Sequence, residues 1–139
     1  MPASRKQLSV MAWIEDPYGN LLLVKQDRGR KAWSFPGGKV GPRESLLDAL
    51  RREVKEELNL TVDAAMLIDL FDRPQKGCVT HLFRVILKSR PRQTVRVRRG
   101  EIGRFAFRRR PPSGSTASLR YFWGRAQRTF EPLAVFAGR

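Results

Sequence analysis

The chain has 139 residues, 41% of them hydrophobic, which suits one domain, residues 1–139, with a buried core. Its net charge of +15 is uneven: residues 1–83 carry 13 Lys/Arg against 11 Asp/Glu, and residues 84–139 carry 15 against 2. No apolar run approaches the about 18 residues of a spanning helix, and one cysteine, Cys78, excludes a disulfide framework. No membrane association is therefore expected. Met1–Lys6 is basic but leads straight into a strand pattern without an apolar signal region, so a cytoplasmic location is expected. The cationic second segment favours polyanions, whether nucleotides, phosphorylated ligands or nucleic acid.

Leu8–Ile14 partly alternates and reads as a strand. Glu15–Asn20 is a turn, because Pro17 presets φ and Gly19 or Asn20 accepts positive φ. Leu21–Val24 follows as a buried strand, predicting a β-hairpin with the first. A polar, basic loop, Gln26–Lys31, leads to Trp33-Ser34-Phe35-Pro36-Gly37-Gly38. Ser45 then stands as a helix N-cap, with Asp48 three residues on. The helix is expected to run to about Leu58, burying Leu47, Leu50, Val54 and Leu58. Asn59 suits the left-handed C-cap position. Met66–Phe71 and Val79–Leu87 read as strands around a turn at Arg73–Gly77, and Val95–Val97 and Ile102–Phe107 as shorter ones. Arg108–Gly114 is an irregular linker, after which Ser115 starts a second helix with Leu119, Phe122, Trp123, Ala126 and Phe130 on one face. Strands around two helices imply an α/β/α sandwich, with a mixed sheet between the helices.

The chemistry is concentrated in the first helix and the loop before it. At 100° per residue, Glu53, Glu56 and Glu57 fall within roughly a 100° sector, centred about 110° from the apolar stripe. One side of the helix packs while its neighbour presents carboxylates to a cleft. Three close carboxylates repel one another unless a cation neutralises them, and hard oxygen donors suit Mg²⁺ or Mn²⁺.

Gly38-x5-Glu44-x7-Arg52-Glu53-Val54-x-Glu56-Glu57-x-Asn59-Leu60 closely resembles the Nudix box of divalent-metal-dependent hydrolases. The resemblance spans 23 residues and also implies an α/β/α sandwich. It implies that Glu53, Glu56 and Glu57 are metal ligands, with the Gly38 carbonyl as a further one. Arg52 would orient the first carboxylate through a charge-assisted hydrogen bond, and Glu44 would brace the loop or reach a metal through water. The base would be one of the helix glutamates or a carboxylate on a distant loop, for which Glu101 is the candidate. The family usually reads Gly-Glu where this chain has Arg43-Glu44, and often has an acid where Gly41 stands. Neither departure removes a carboxylate, so catalysis is expected to persist.

Selectivity lies outside the box. Trp33 and Phe35 are candidates for stacking on a base, although core packing is the role that their pattern favours. Arg28, Arg30 and Lys31 are candidates for lining a phosphate entrance, and Lys39 is counted as a further substrate contact. His81 carries no catalytic signal and reads as structural. The format is closest to MutT-like nucleoside triphosphate pyrophosphatases, which ranks (d)NTPs, including oxidised forms, ahead of ADP-ribose and other nucleotide sugars. Two alternatives stand beside that reading. Arginines interleaved with aromatics across residues 84–128 suit an RNA-binding module or an enzyme trimming RNA 5′ ends, and a non-catalytic nucleotide sensor is the third option. A monomer or a homodimer is compatible with all three.

Overall fold

A computed structural model describes residues 6–27, 29, 31–88, 95–96 and 102–125, together with the backbone of 134–137. The elements are β1 (Gln7–Trp13), β2 (Leu21–Gln26), β3 (Trp33–Ser34), β4 (Gly37–Lys39), α1 (Leu46–Leu58), β5 (Val62–Arg73), β6 (Cys78–Leu87), β7 (Ile102–Arg108), α2 (Ala117–Arg125) and β8 (Ala134–Ala137). They form a five-stranded sheet in the order β4-β1-β6-β5-β8 and a three-stranded sheet in the order β3-β2-β7. The larger sheet is mixed, because β1 runs parallel to β6 and its other pairs are antiparallel. No helix among the described residues is long and apolar enough to cross a membrane.

Period-two alternation explains the layering. In β1, Val10 and Ala12 join one core cluster, while Met11 and Trp13 pack against the other. Phe83 and Leu82 divide in the same way on β6, as do Leu22 and Leu23 on β2. Leu50, Val54 and Leu58 of α1 complete the first cluster, and Leu119, Phe122 and Trp123 of α2 complete the second. β1, β2 and β6 thus pack side chains on both faces, with one helix to each side.

The capping of α1 follows its sequence. The Ser45 hydroxyl accepts a hydrogen bond from the Asp48 amide at 3.1 Å, and Asn59 closes the helix at φ 59° and ψ 33°. Ala49 is fully buried in the stripe, and Leu47 packs only partly against it.

Three expectations need correction. β1 and β2 form no hairpin: they part into different sheets, joined at the turn by an antiparallel bridge of Glu15 with Leu21. Both edges of β1 are already taken, by β4 and by β6. Val95 and Arg96 lie outside any strand, with the Arg96 amide bonded to Leu58 O at 2.9 Å, and Val97 lies outside the described residues. The second helix starts at Ala117 rather than Ser115, because Ser115 bridges Trp33 and its hydroxyl donates to Pro112 O at 2.6 Å. Ala126 and Phe130 lie outside the described residues.

Candidate active site

Arg52 organises the first half of the site. Its Nε and Nη2 donate to the two oxygens of Glu44 at 2.7 and 2.8 Å, a bidentate pair. Its Nη1 donates to Glu53 at 2.9 Å and, more weakly, to Glu56 at 3.4 Å. Nη2 also reaches Lys39 O at 3.1 Å, tying the helix to the end of β4. The Gly41 amide adds a bond to Glu44 at 2.8 Å. The Arg52 hydrogen bond, followed by that amide, holds the Glu44 carboxyl at about 2, well below the ordinary carboxylate range. The same bond to Glu44 keeps Arg52 protonated by raising its pKa further.

The second half of the site is the contact between α1 and β4. Glu57 is buried, 4% exposed, and one of its oxygens accepts the Gly37 amide hydrogen at 2.7 Å. A Cβ at Gly38 would stand 2.6 Å from the Glu53 carboxylate, so any other residue here would push that carboxylate from its place. The predicted residues Glu44, Arg52, Glu53, Glu56, Glu57 and Gly38 therefore come together along one side of α1. Glu101 and Arg28 lie outside the described residues, as does Arg30.

The donors are all hard oxygens, and their chemistry fits Mg²⁺ or Mn²⁺. Among the described residues, however, no three acidic, His or Cys side chains are gathered as an ion-holding group. The hydrogen bonds supply the reason. Arg52 draws Glu53 and Glu56 toward itself and already offsets their charge, while Gly37 engages Glu57.

A cavity of about 560 Å³ lies on the α2 side of the sheet, lined by Met11, Arg73, Lys76, Thr116, Ser118 and Arg120 among others, and by none of the carboxylates. Met11 is the β1 partner of Gly37, but its side chain packs with the α2 cluster, on the face of β1 away from α1. Arg73 lies over the Phe71 ring at 4.8 Å and donates to the Ser118 hydroxyl at 3.3 Å. Sequence spacing gave no sign of Arg73, Lys76 or Arg120, because they come from β5, the turn after it and α2.

The aromatic candidates are packed inside. Phe35 is 1% exposed, stacked between Trp13 at 5.9 Å and Trp123 at 6.2 Å, so it serves the core instead of a base. Trp33 is 6% exposed, and its ring is approached by Lys25 at 6.0 Å, Arg104 at 5.6 Å and Arg108 at 5.9 Å. Lys31 is exposed in a left-handed conformation at φ 49°. Lys39 meets Arg52 through its backbone carbonyl. His81 Nδ1 lies 3.1 Å from Ser9 O, between paired strands, in keeping with a structural role.

Comparison with known proteins agrees with this geometry. The chain is 35% identical over 80 residues to the CTP pyrophosphohydrolase of Escherichia coli strain K12, covering 55% of this chain and 59% of that protein. It is 32% identical over 66 residues to human 8-oxo-dGDP phosphatase NUDT18, covering 46% of this chain and 20% of that protein. The chain thus spans about three fifths or less of the length of these curated relatives. A MutT NUDIX hydrolase structure from Burkholderia pseudomallei shares the fold, with a TM-score of 0.74 at 23% identity over 85% of this chain and 95% of that one. The NUDIX domain profile matches residues 5–112, the span that holds the glycine loop, α1 and the carboxylates tied by Arg52, and the chain belongs to the Nudix hydrolase family.

Proposed function

We propose that the protein is a divalent-metal-dependent pyrophosphohydrolase of nucleoside diphosphate-linked substrates. (d)NTPs, oxidised forms included, rank first, and ADP-ribose or nucleotide sugars next. The observation that carries this reading is the tie of Arg52 to Glu44, Glu53 and Glu56, with Glu57 set against the Gly37 backbone. The names of the bacterial CTP enzyme and the human 8-oxo-dGDP enzyme support the order of substrates.

Glu53, Glu56, Glu57 and the Gly38 carbonyl are the residues to hold Mg²⁺ or Mn²⁺. Such an ion would neutralise phosphate charge and polarise the bond that breaks. Arg52 and Glu44 hold the carboxylates in place, and a charge-assisted bidentate pair resists their mutual repulsion. The cavity on the α2 side of the sheet offers Arg73, Lys76 and Arg120 to an anionic group of the substrate. Glu101, Glu53, Glu56 and Glu57 are the candidate bases.

The test is phosphate release from a panel of dNTPs, 8-oxo-dGTP, ADP-ribose, dinucleoside polyphosphates and 5′-triphosphorylated RNA, with Mg²⁺ or Mn²⁺. Glu57→Gln is expected to keep the fold and cut turnover by about a thousandfold or more. Full activity in that variant would show that the wrong carboxylates are assigned. The Lys25, Arg104 and Arg108 cluster around Trp33 favours a second reading, a polyanion surface for nucleic acid. Oligonucleotide affinity that falls steeply with log[salt] would support it, and salt-independent or undetectable binding would remove it.

A further inference from the structure

Arg51, one residue before the arginine that grips Glu44, presents the same pair of donors with nothing in them. Its Nε and Nη2 are buried without a hydrogen-bond partner. In Arg52 those two atoms hold both oxygens of one carboxylate. Two such N–H groups out of water and unpaired are costly, and a permanently charged guanidinium cannot relieve the cost by losing its proton. Burial without an acceptor therefore calls for an explanation.

The surroundings supply one. Arg51 lines a cavity of about 370 Å³ together with Arg52, Lys55, Leu60, Thr61, Val62 and Lys88. Four of these seven residues are cationic and none is acidic. The end of α1 would ordinarily repel an anion through its exposed carbonyls. Here Lys55 O accepts the Asn59 amide at 2.9 Å and Leu58 O accepts the Arg96 amide at 2.9 Å, so both are engaged. Around the helix, Arg51 and Lys55 lie about 40° apart, and Glu53 and Glu57 lie about 160° and about 120° away from Arg51.

We propose that this cavity is a second oxyanion site, for phosphate or pyrophosphate, sharing Arg52 with the carboxylate site but lined by none of its carboxylates. Both unpaired nitrogens are out of solvent contact, so the fork must rotate toward the cavity to meet a ligand, and it has no hydrogen bond to break in doing so. Two oxygens of a tetrahedral phosphate then take the positions that the Glu44 oxygens take on Arg52. Lys55 and Lys88 add charge at the rim. The site does not depend on the hydrolysis proposed above.

The experiment is a titration of the full chain with sodium pyrophosphate in EDTA, followed by calorimetry and by the side-chain Nε–H resonances of ¹⁵N-arginine. The Arg51 resonance, assigned with Arg51→Met, is expected to shift saturably. Arg51→Met should weaken that binding by about tenfold or more, as loss of charged hydrogen bonds does. In the absence of phosphate the same variant should melt at a higher temperature than the parent, because it removes unpaired buried donors. The exposed pair Lys55→Met/Lys88→Met keeps the test alive should Arg51→Met fold poorly, and it should also weaken binding severalfold. Arg73→Met, in the other basic cavity, should leave the Arg51 shift intact. An unmoved Arg51 resonance would overturn the proposal, as would affinity equal to the parent's in both Arg51→Met and the lysine pair. Hydrolytic activity can fail with this result intact, and the reverse also holds.

Discussion

Gly37 and Gly38 are adjacent yet should respond to alanine in opposite ways. A Cβ at Gly37 would overlap Val10 O and stand 2.9 Å from Met11 Cα, on a backbone at φ +151°. Its neighbours are main chain, so β4 itself must move away from β1. Strain at that φ costs about 1–3 kcal/mol. Displacing the strand also endangers the Gly37 N–Glu57 bond at 2.7 Å and the Ala12 N–Pro36 O bond at 2.8 Å. Each is worth about 1 kcal/mol, so Gly37→Ala should lose about 3–5 kcal/mol in all. At Gly38 the Cβ meets only the Glu53 carboxylate, at 2.6 Å, the movable end of a side chain. Gly38→Ala should therefore change stability by no more than about 1 kcal/mol. It should still cut turnover about a hundredfold, because displacing a reacting carboxylate by an ångström has that scale of effect. Urea unfolding beside nucleotide turnover separates the two. Comparable losses of stability in both variants, or full turnover in Gly38→Ala, would refute the reasoning.

Asn59→Ala should lower stability by about 1 kcal/mol, the penalty of a Cβ-bearing residue in the left-handed region, whereas Asn59→Gly should shift it by a few tenths, read from urea midpoints. Arg52→Lys keeps the charge but cannot form the bidentate contact with Glu44, and turnover should fall about tenfold to a hundredfold. Glu44 has its carboxyl held at about 2 against an ordinary value of 4.5. A folded pKa below the unfolded one stabilises above the unfolded value and is lost as pH falls through the window between them. The melting-temperature advantage of the parent over Glu44→Gln should thus be complete above pH 4.5 and shrink progressively toward pH 2. An advantage that stays constant across that window would show that the Glu44 charge contributes nothing to stability.

Helix α1 is legible in the sequence because everything that defines it is local. Ser45 and Asn59 mark its ends, and Leu50, Val54 and Leu58 recur at helical spacing. The carboxylate site is legible for the same reason, as its members lie along that helix and the loop entering it. What escapes depends on pairing between distant segments. A turn between two apolar runs suggests a hairpin, but β1 finds its neighbours at Gly37–Lys39 and Cys78–Arg84 instead. Val95 has the look of a strand residue and is not in one, and β8 adds to the edge of β5 without a range predicted for it. Core packing is the favoured reading of the aromatic residues before the glycines, and Phe35 does fill the core, but only the fold shows that it lies between Trp13 and Trp123. Arg73, Lys76 and Arg120 converge only once β5 and α2 are in place.

The parallel seat of β1 sets the order in which the molecule can assemble. β5 and β6 are joined by a tight turn at Pro74–Gly77 and can close on each other early, at low entropic cost. β1 has no such neighbour: Gln7 waits for Cys78 and Trp13 for Arg84, a closure that spans half the chain. During synthesis β1, which ends up between β4 and β6, emerges long before β6 and is seated late. Until then Val10, Ala12 and Ile14, all buried at the end, are open to the wrong partners. Slow refolding and aggregation at high concentration should therefore trace to Gln7–Trp13 and not to α1.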